Sequence, residues 1–324
     1  MQVSLWPARS RDPQSTAYRS DPVLSEFLTG KTKQHRPPLP GSAYTGHVKA
    51  DLHCHSHFSD GKHSPEFLLQ RAADNGISHL AITDHDCLDC HQQTLASAAG
   101  LTLIPGVEIS CNWENREIHV VGLGVDASAG DLTRSLETQQ AKRQARILAM
   151  HDMLVSLGIN GLDQHMDSLP AVSWTRSHVA EFLVDNGHCK NWDKAFKRYL
   201  GRRGKIWVPI AWFELAEAIE LIRQAGGIAV LAHPGRYSLN RRKLQQLAEA
   251  FRLAGGEGLE GSYGNIDPVM RRQLCELAME QGLYISQGSD FHNADRHWTD
   301  LGKMPSLDTA AIKNAIWDHP RWHF

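Results

Sequence analysis

The stretch Val48-Lys49-Ala50-Asp51-Leu52-His53-Cys54-His55 predicts a β-strand that ends in a pair of histidines. Side chains alternate between the two faces of a strand, so His53 and His55 lie on one face while Cys54 points away from them. Two imidazoles on one face can bind the same metal ion. A single pair of this kind is also a common incidental pattern, so its meaning depends on the rest of the chain.

Further motifs along the chain add more imidazole and carboxylate side chains. They are Asp60, Thr83-Asp84-His85, Gly106-Val107-Glu108, Ile118-His119, Ala232-His233-Pro234 and Gly288-Ser289-Asp290-Phe291-His292. These are the side chains that bind divalent transition metals. The chain supplies about nine such ligands, more than one ion needs, so the sequence predicts a multinuclear centre. Such centres mostly catalyse the hydrolysis of phosphate esters.

The composition is that of a globular protein. Of 324 residues, 41% are hydrophobic and 22% charged, which allows one large domain or two smaller ones. The formal net charge of −2 excludes a global positive field, so an anionic substrate must be held by local charge. The first 30 residues hold no apolar run of signal-peptide type. A cytoplasmic protein with free thiols is expected, in which Cys87 and Cys90 are packing or surface thiols rather than a redox or zinc pair.

Strand and helix patterns alternate through most of the chain. Residues 1–47 are polar and rich in Pro, Ser and Arg, and they are expected to form a loosely ordered extension. Residues 48–324 are expected to form the main domain, in which repeated strand–helix units, one with a helix around residues 89–99, imply a parallel sheet closed into a barrel. Residues 127–209 begin with a long helix capped by Asp131 and show no strong strand pattern, so they are interpreted as an inserted α-helical subdomain.

Most of the candidate ligands follow the carboxyl ends of predicted strands. His85, His233 and Asp290 each lie within a few residues of such an end. In parallel α/β barrels the active site forms at that end, because the loops there converge. His119 is an exception, since it lies inside its predicted strand.

In this combination and order, the motifs resemble the PHP (polymerase and histidinol phosphatase) superfamily of metal-dependent phosphoesterases over about residues 49–293. The segments Thr175-Arg176-Ser177-His178 and Ala195-Phe196-Lys197-Arg198-Tyr199-Leu200-Gly201 are similar to the insertion of one branch, the nucleoside 3′,5′-bisphosphate phosphatases and 5′–3′ exoribonucleases. The resemblance implies a distorted (β/α)7 TIM-like barrel with an inserted α-helical subdomain. It also implies a centre of three divalent metal ions.

The resemblance further implies which residues bind each ion. The first ion would be held by His53, His55, Glu108 and Asp290, the second by Glu108, His119 and His233, and the third by Asp60, His85 and His292. Asp84 or Asp86, which flank His85, could orient its ring as a hydrogen-bond acceptor. The segment around Glu260 departs from the family pattern, which has an apolar residue after the Glu, and this leaves the shape of the substrate pocket open.

Charge counting indicates the nucleophile and the substrate. Three divalent ions bring six positive charges, and three carboxylates return three negative ones, so the excess calls for a bridging hydroxide and an anionic substrate. Metal coordination lowers the pKa of bound water to about 7, so a metal-bound hydroxide is expected to attack phosphorus without a separate protein base. A histidine-rich shell is a poor match for Mg²⁺, so Mn²⁺ is expected, with Fe²⁺ or Zn²⁺ as alternatives.

Basic residues of the insertion are candidates for substrate binding. Arg143 lies on the long helix, where Arg146 shares its face, and Lys205 lies in a loop that contains glycines. Arg176 and His178 belong to the segment that resembles the family. Each of Arg143, Arg176, His178 and Lys205 could bind a substrate phosphate. For Arg143 a solvated charged face is the alternative, and for Lys205 a solvated turn.

The sequence therefore predicts a metal-dependent phosphoesterase for nucleotides or short single-stranded RNA. The expected activities are 5′–3′ exoribonuclease action on 5′-phosphorylated RNA and hydrolysis of nucleoside 3′,5′-bisphosphates. A histidinol-phosphate-type or other small-molecule phosphomonoesterase is the alternative, although an insertion that covers the rim with Arg and Lys disfavours it. A non-catalytic metal-binding module is the second alternative, and the presence of all nine ligands disfavours it. Neither a membrane nor a protein partner is expected.

Overall fold

A computed structural model describes residues 48–92, 100–295, 299–308 and 310–324. The extension predicted for residues 1–47 lies outside the described residues. All described residues belong to the compact unit Gly41–Phe324. In the described part of the chain, no helix combines the length and the apolar character that crossing a membrane requires.

Eight strands form one barrel-shaped sheet. They are β1 (Ala50–Cys54), β2 (His79–Ile82), β3 (Thr102–Trp113), β4 (Arg116–Leu123), β5 (Phe213–Glu214), β6 (Ile228–Leu231), β7 (Gly258–Tyr263) and β8 (Tyr284–Gly288). The strand order is β1-β2-β3-β4-β6-β7-β8, and β5 pairs with β3. The last strand returns to the first, because Gln287 Nε2 donates to the Ala50 carbonyl at 2.8 Å and Cys54 pairs with Phe291. The predicted barrel is confirmed.

The direction of β4 corrects the expectation of a parallel sheet. Strand β4 runs antiparallel to both β3 and β6, while the other pairs are parallel. Only Glu114 and Asn115 connect β3 to β4, and both have positive φ angles, of 46° and 59°. Two central residues of this kind form a tight hairpin turn, which forces the two strands to be antiparallel.

Eight α-helices accompany the strands within the described residues. They are α1 (Pro65–Asp74), α2 (Gly130–Ser156), α3 (Leu162–Ser168), α4 (Arg176–Asp185), α5 (Trp192–Ala195), α6 (Leu215–Gln224), α7 (Arg241–Leu253) and α8 (Pro268–Gln281). Ser64 caps α1 by accepting a hydrogen bond from Phe67 N. Asp131 does not cap α2: the N-cap is Ala129, and Asp131 lies in the first turn, where a carboxylate favours the helix dipole.

The region between β4 and β5 holds only helices and turns among its described residues. Helices α2 to α5 lie there, followed by a π-helical turn at Phe196–Leu200. We therefore retain residues 127–209 as a proposed inserted subdomain. Of the helix predicted around residues 89–99, a short 3₁₀ helix is present at Asp89–Gln92, and residues 93–99 lie outside the described residues.

Apolar side chains are buried on both faces of the sheet. Ile219, Leu247 and Leu274 of the outer helices pack with strand residues in one cluster. A second cluster joins Leu52 and Val230 to residues near the C-terminus. Strands covered on both faces form a rigid scaffold, and the loops at one end of that scaffold carry the candidate site.

Candidate metal centre

The nine predicted ligands meet at one end of the barrel. His85, His233 and Asp290 follow the carboxyl ends of β2, β6 and β8, as expected from the sequence. His119 reaches the same end from inside its strand because β4 runs antiparallel: His119 pairs with Ser110 of β3, near the start of β4. The antiparallel hairpin therefore explains why His119, which lies inside its strand, still reaches the candidate site.

The first group surrounds the two histidines of β1. The Nε2 atoms of His53 and His55 lie 3.2 Å apart. Both face Glu108 Oε2, at 3.4 and 3.3 Å. Both also face Asp290 Oδ1, at 3.5 and 3.2 Å. Two nitrogens and two carboxylate oxygens thus point at one small volume.

Glu108 joins this group to a second one. Its Oε1 lies 2.9 Å from His119 Nδ1 and 2.9 Å from His233 Nε2. Its Oε2 lies 2.9 Å from His85 Nδ1. Glu108 is fully buried and faces imidazoles on both sides, which suits a carboxylate that bridges two ions.

The third group lies around Asp60. Asp60 Oδ1 is 3.3 Å from His292 Nε2, 3.7 Å from His85 Nε2 and 4.0 Å from His55 Nδ1. The described chain holds three overlapping groups of potential ligands. Within each group, the ligand atoms lie within 4.8 Å of one another. The groups are His55, Asp60, His85 and His292; His53, His55 and Glu108; and His85, Glu108 and His119.

These residues fit divalent metal ions. Asp60 Oδ1, His85 Nδ1, Glu108 Oε2 and His233 Nδ1 are buried and have no hydrogen-bond partner among the residues that the structure describes. Glu108 Oε2 and His85 Nδ1 lie close together but without hydrogen-bond geometry. A buried polar atom without a partner costs about 1–3 kcal/mol, and a cation at this position would satisfy several such atoms at once. The mixture of imidazole nitrogen and carboxylate oxygen suits Mn²⁺, Fe²⁺ or Zn²⁺.

The carboxylates are ionised although they are buried. Burial raises the pKa of Glu108, but the imidazoles of His85 and His119 outweigh burial and hold this pKa well below its usual range. His85 and His292 do the same for Asp60. Conversely, burial lowers the pKa of His119 and of His292, but the facing carboxylates raise these pKa values to about 10 and about 9. A divalent ion requires neutral imidazole, so it would replace protons at this position.

The backbone holds two of the candidate ligands in uncommon conformations. His233 and Asp290 have φ angles of 29° and 52°, in a region that side-chain-bearing residues seldom occupy. Such conformations persist only where the surrounding structure imposes them, and they cluster at functional sites.

Two residues to which sequence reasoning gave no such role hold candidate ligands in place. Glu260 accepts hydrogen bonds from His53 Nδ1 at 2.8 Å and from His233 N at 2.5 Å. Arg236 donates to Asp290 and, at 3.2 Å, to the Gly264 carbonyl. Glu260 and His53 are far apart in the chain, so no local pattern could pair them. The position of Arg236 close after His233 was the only available signal.

Asp84 and Asp86 do not orient His85. Asp84 accepts hydrogen bonds from Ser56 N at 2.7 Å and from Ser59 Oγ at 2.6 Å, which ties the loop after β1 to the loop after β2. Asp86 accepts from Ser110 N at 3.0 Å and from Arg143. Within the described contacts, neither carboxylate is bonded to the His85 ring.

A cleft adjoins the metal centre. The candidate ligands Asp60, His85 and His119 form part of its wall. The insertion supplies much of the remaining wall, through guanidinium groups and aromatic rings. These are Arg143, Arg146, Arg176, Trp174 and Phe196.

Two of the four predicted substrate-binding residues line this cleft. Arg143 is buried, donates through Nε to Asp86 Oδ2 at 2.8 Å, and lies 4.7 Å from the Trp212 ring centre. Arg176 pairs with Glu117 at 3.2 Å. Both guanidinium groups are therefore held in fixed positions at the wall.

The other two predicted substrate-binding residues, His178 and Lys205, do not line the cleft. His178 is buried and uses both ring nitrogens: Nδ1 accepts from Thr175 N at 3.1 Å, and Nε2 donates to the Ser59 carbonyl at 2.9 Å. Lys205 is exposed and is not one of the residues that line the cleft. Substrate contact by these two residues stays a prediction, and the geometry gives His178 a role in joining the insertion to the loop after β1.

Arg146 is a stronger candidate for substrate binding than the sequence alone indicated. It lies one turn after Arg143, lines the cleft and is buried, and its Nη2 atom has no hydrogen-bond partner among the described residues. Burial lowers the pKa of Arg146, and the neighbouring Arg176 lowers it further, to about 10. Glu117 lies 3.9 Å from Arg146 Nη1 and 3.2 Å from Arg176 Nη2, whereas Arg146 Nη2 could donate a hydrogen bond to a substrate anion.

Comparisons with known proteins agree with this geometry. The family model described as PHP domain matches residues 51–252. The chain is 39% identical to a 5′–3′ exoribonuclease of Haemophilus influenzae, over 83% of this chain and 98% of the relative. It is 36% identical to a 3′,5′-nucleoside bisphosphate phosphatase of Chromobacterium violaceum, over 82% and 94%. A solved structure of an amidohydrolase from the same organism superposes with a TM-score of 0.78 at 35% identity, over 83% and 94%.

Proposed function

The chain belongs to the PHP domain family and is a metal-dependent phosphoesterase, and we propose that its substrates are 5′-phosphorylated short RNAs and nucleoside 3′,5′-bisphosphates. On the RNA it would act as a 5′–3′ exoribonuclease. The observation that carries this proposal is the position of the cleft. Its wall joins the proposed metal ligands to the buried arginines and aromatic rings of the insertion.

The proposed ions would be held by the three overlapping groups. The first would take His53, His55, Glu108 and Asp290, the second Glu108, His119 and His233, and the third Asp60, His85 and His292. Manganese is the proposed metal, with Fe²⁺ or Zn²⁺ as alternatives. Divalent ions here would polarise the phosphoryl group and lower the pKa of water enough to make hydroxide available near pH 7.

The residues of the chain bind and orient the substrate. A nucleoside bisphosphate carries two phosphates and a base. With one phosphate at the metal centre, the other would lie between Arg143, Arg146 and Arg176, whose planar guanidinium groups match phosphate oxygens. Trp174 and Phe196 offer ring faces for the base. A substrate with a single phosphate and no anionic second group, such as histidinol phosphate, would leave these guanidinium groups without a partner.

The cellular location of the activity is also proposed rather than observed. The six cysteines are all free in the structure, and all are buried. Free thiols in this number suit a reducing compartment. We therefore retain the cytoplasm as the proposed location.

A substrate panel tests the function. Purified protein is loaded with Mn²⁺, Fe²⁺, Zn²⁺ or Mg²⁺ and assayed on a 5′-phosphorylated RNA, adenosine 3′,5′-bisphosphate and histidinol phosphate. We expect release of mononucleotides and phosphate from the first two, with Mn²⁺ the best metal. His53→Ala should abolish both activities, whereas His323→Ala, at an exposed position, should change neither. Protein that leaves both nucleotide substrates intact with every metal would refute the proposal.

A further inference from the structure

Residues 190–205 carry a concentration of positive charge that the cleft does not use. This basic segment holds seven lysines and arginines and a single carboxylate, Asp193. The seven are Lys190, Lys194, Lys197, Arg198, Arg202, Arg203 and Lys205, and all are exposed. The chain as a whole has a formal net charge of −2, so the segment is a local feature and not part of a general excess.

The charge of the basic segment is not compensated by neighbouring acids. Among the described residues, none of its seven cations lies within salt-bridge distance of a carboxylate. The arginines of the cleft differ, because Arg176 pairs with Glu117 at 3.2 Å and Arg143 with Asp86 at 2.7 Å. Exposed cations whose charge no carboxylate neutralises attract an external polyanion.

The fold brings the C-terminal end of the basic segment back to its middle. Lys205 N donates to the Arg198 carbonyl at 3.0 Å. The Arg198 guanidinium and the Lys205 ammonium lie 5.1 and 6.0 Å from the centre of the same Tyr199 ring. A side chain at Gly204 would meet the Tyr199 carbonyl oxygen at 2.3 Å, so this close return of the chain requires glycine. The loop with Arg202 and Arg203 is therefore fixed beside Arg198.

The basic segment also reaches the wall of the cleft. Phe196 lines the cleft, and the Arg176 guanidinium lies 5.9 Å from its ring centre. Lys197 and Arg198 follow directly in the chain and are exposed. Gly201 N donates to the Phe196 carbonyl at 2.7 Å, which holds the basic loop against this part of the wall. A chain that leaves the cleft past Phe196 would meet these cations.

We propose that the basic segment binds the phosphodiester backbone of single-stranded RNA downstream of the nucleotide held in the cleft. This inference rests on the proposed function, since it needs an RNA with its 5′ end at the metal centre. Each backbone phosphate that meets a lysine or arginine releases condensed counterions, which favours binding at low salt. A nucleoside bisphosphate ends inside the cleft and has no such backbone. The segment would therefore favour RNA without affecting the smaller substrate, and Lys205 would contact RNA outside the cleft.

The test compares two substrates and two matched variants of the full-length, Mn²⁺-loaded protein. The variant R198Q/R202Q/R203Q removes three cations of the segment. The control R223Q/R252Q/K313Q removes three cations near the opposite end of the barrel: Arg223 and Arg252 lie in the last turns of α6 and α7, and Lys313 lies beside the start of β8. For each protein, kcat/KM is measured on a 5′-phosphorylated ten-nucleotide RNA and on adenosine 3′,5′-bisphosphate, across a series of salt concentrations.

The expected result is specific to RNA. The segment variant should lose about tenfold in kcat/KM on the RNA at low salt, and its slope of log kcat/KM against log salt should become shallower by about 2, since each single-strand phosphate contact contributes about 0.7. Its bisphosphate hydrolysis and the control variant on both substrates should stay within about twofold of wild type. Unchanged RNA cleavage, or an equal loss on both substrates, would overturn the proposal while leaving the proposed function intact. If the wild-type protein does not cleave the RNA, both this proposal and the proposed exoribonuclease function are contradicted.

Discussion

The metal end of the barrel and the insertion that borders it are built in opposite ways. Six of the nine candidate ligands are buried, and Asp60, His119 and His292 are partly buried. Carboxylates such as Glu108 face several imidazoles at once. The insertion instead presents arginines at a cleft wall, and it also carries seven exposed cations that have no carboxylate partner among the described residues. Under the proposed function, the barrel would fix the chemistry and the insertion would select the substrate. Substitutions at the metal end should lower the reaction rate on every substrate, whereas those in the insertion should discriminate between substrates.

The largest effect is expected at Glu108. Glu108→Gln removes the charge that faces His85, His119 and His233, so kcat should fall at least about a thousandfold, because charge stabilisation by metals is worth several kcal/mol. The loss should be equal on RNA and on the bisphosphate. Glu114→Gln, in the exposed turn between β3 and β4, is the matched control and should behave like wild type. A Glu108→Gln protein that keeps one of the two activities would contradict the idea that residues at the metal end of the barrel act equally on every substrate.

A smaller effect is expected at Glu260, which touches two ligands but not the substrate. Glu260→Ala frees His53 Nδ1 and His233 N, so the affinity for metal should fall about 10- to 100-fold. Titration of metal-free protein with Mn²⁺, followed by thermal stabilisation, measures this affinity without relying on turnover. Restoration of kcat at high Mn²⁺ concentration is expected, because Glu260 positions the ligands and does not react. Unchanged Mn²⁺ affinity would show that Glu260 has only a structural role.

A substitution at Arg146 tests whether the insertion acts in substrate binding. Arg146→Gln should raise KM for adenosine 3′,5′-bisphosphate about tenfold and change kcat little, because the lost hydrogen bonds to a charged group are worth about 1.5–3 kcal/mol. Arg134→Gln, an exposed position in the first turns of the same helix, is the control. A fall in kcat at unchanged KM would place Arg146 in the chemical step and not in binding.

The smallest effect concerns stability and pH. Burial lowers the pKa of His178 to about 4 in the folded protein, against 6.5 as the ordinary value. A lowered pKa means that the unfolded chain takes up the proton first as pH falls. The contribution of His178 is therefore complete above about pH 6.5 and is lost progressively down to about pH 4, by at most about 3 kcal/mol.

Urea unfolding at pH 7 and pH 5 measures this loss. The free energy of unfolding of wild type should fall more between these two pH values than that of His178→Gln, because glutamine does not titrate. Other groups titrate equally in both proteins, so the difference isolates His178. Equal losses in both proteins would show that the His178 imidazole is not held neutral.

The sequence allowed most of the barrel and the meeting of the nine candidate ligands to be predicted, because both follow local patterns. Strand ends with His and Asp are visible in the chain, and parallel strands bring them to one rim. The antiparallel β4 was missed since the strand–helix rhythm hid its two-residue turn, Glu114-Asn115. Glu260 and Arg236 were missed because each acts through a partner that is distant in sequence.

The insertion was less predictable than the barrel. A basic residue on a helix gives no sign of whether it faces a cleft, solvent or a carboxylate. Arg143 and Arg176 line the cleft, and both have acidic partners that no spacing revealed. Lys205 was predicted to bind phosphate from its loop composition, and the structure shows that it is exposed and does not line the cleft.

The most direct test of the account counts bound metal against phosphate release. Protein stripped of metal by a chelator is titrated with Mn²⁺, and bound ions per chain and the rate on adenosine 3′,5′-bisphosphate are measured on the same samples. The account predicts no release from stripped protein and full activity only as about three ions bind, in line with multinuclear phosphate hydrolysis. Full activity in stripped protein, or saturation with less than one ion per chain, would contradict it.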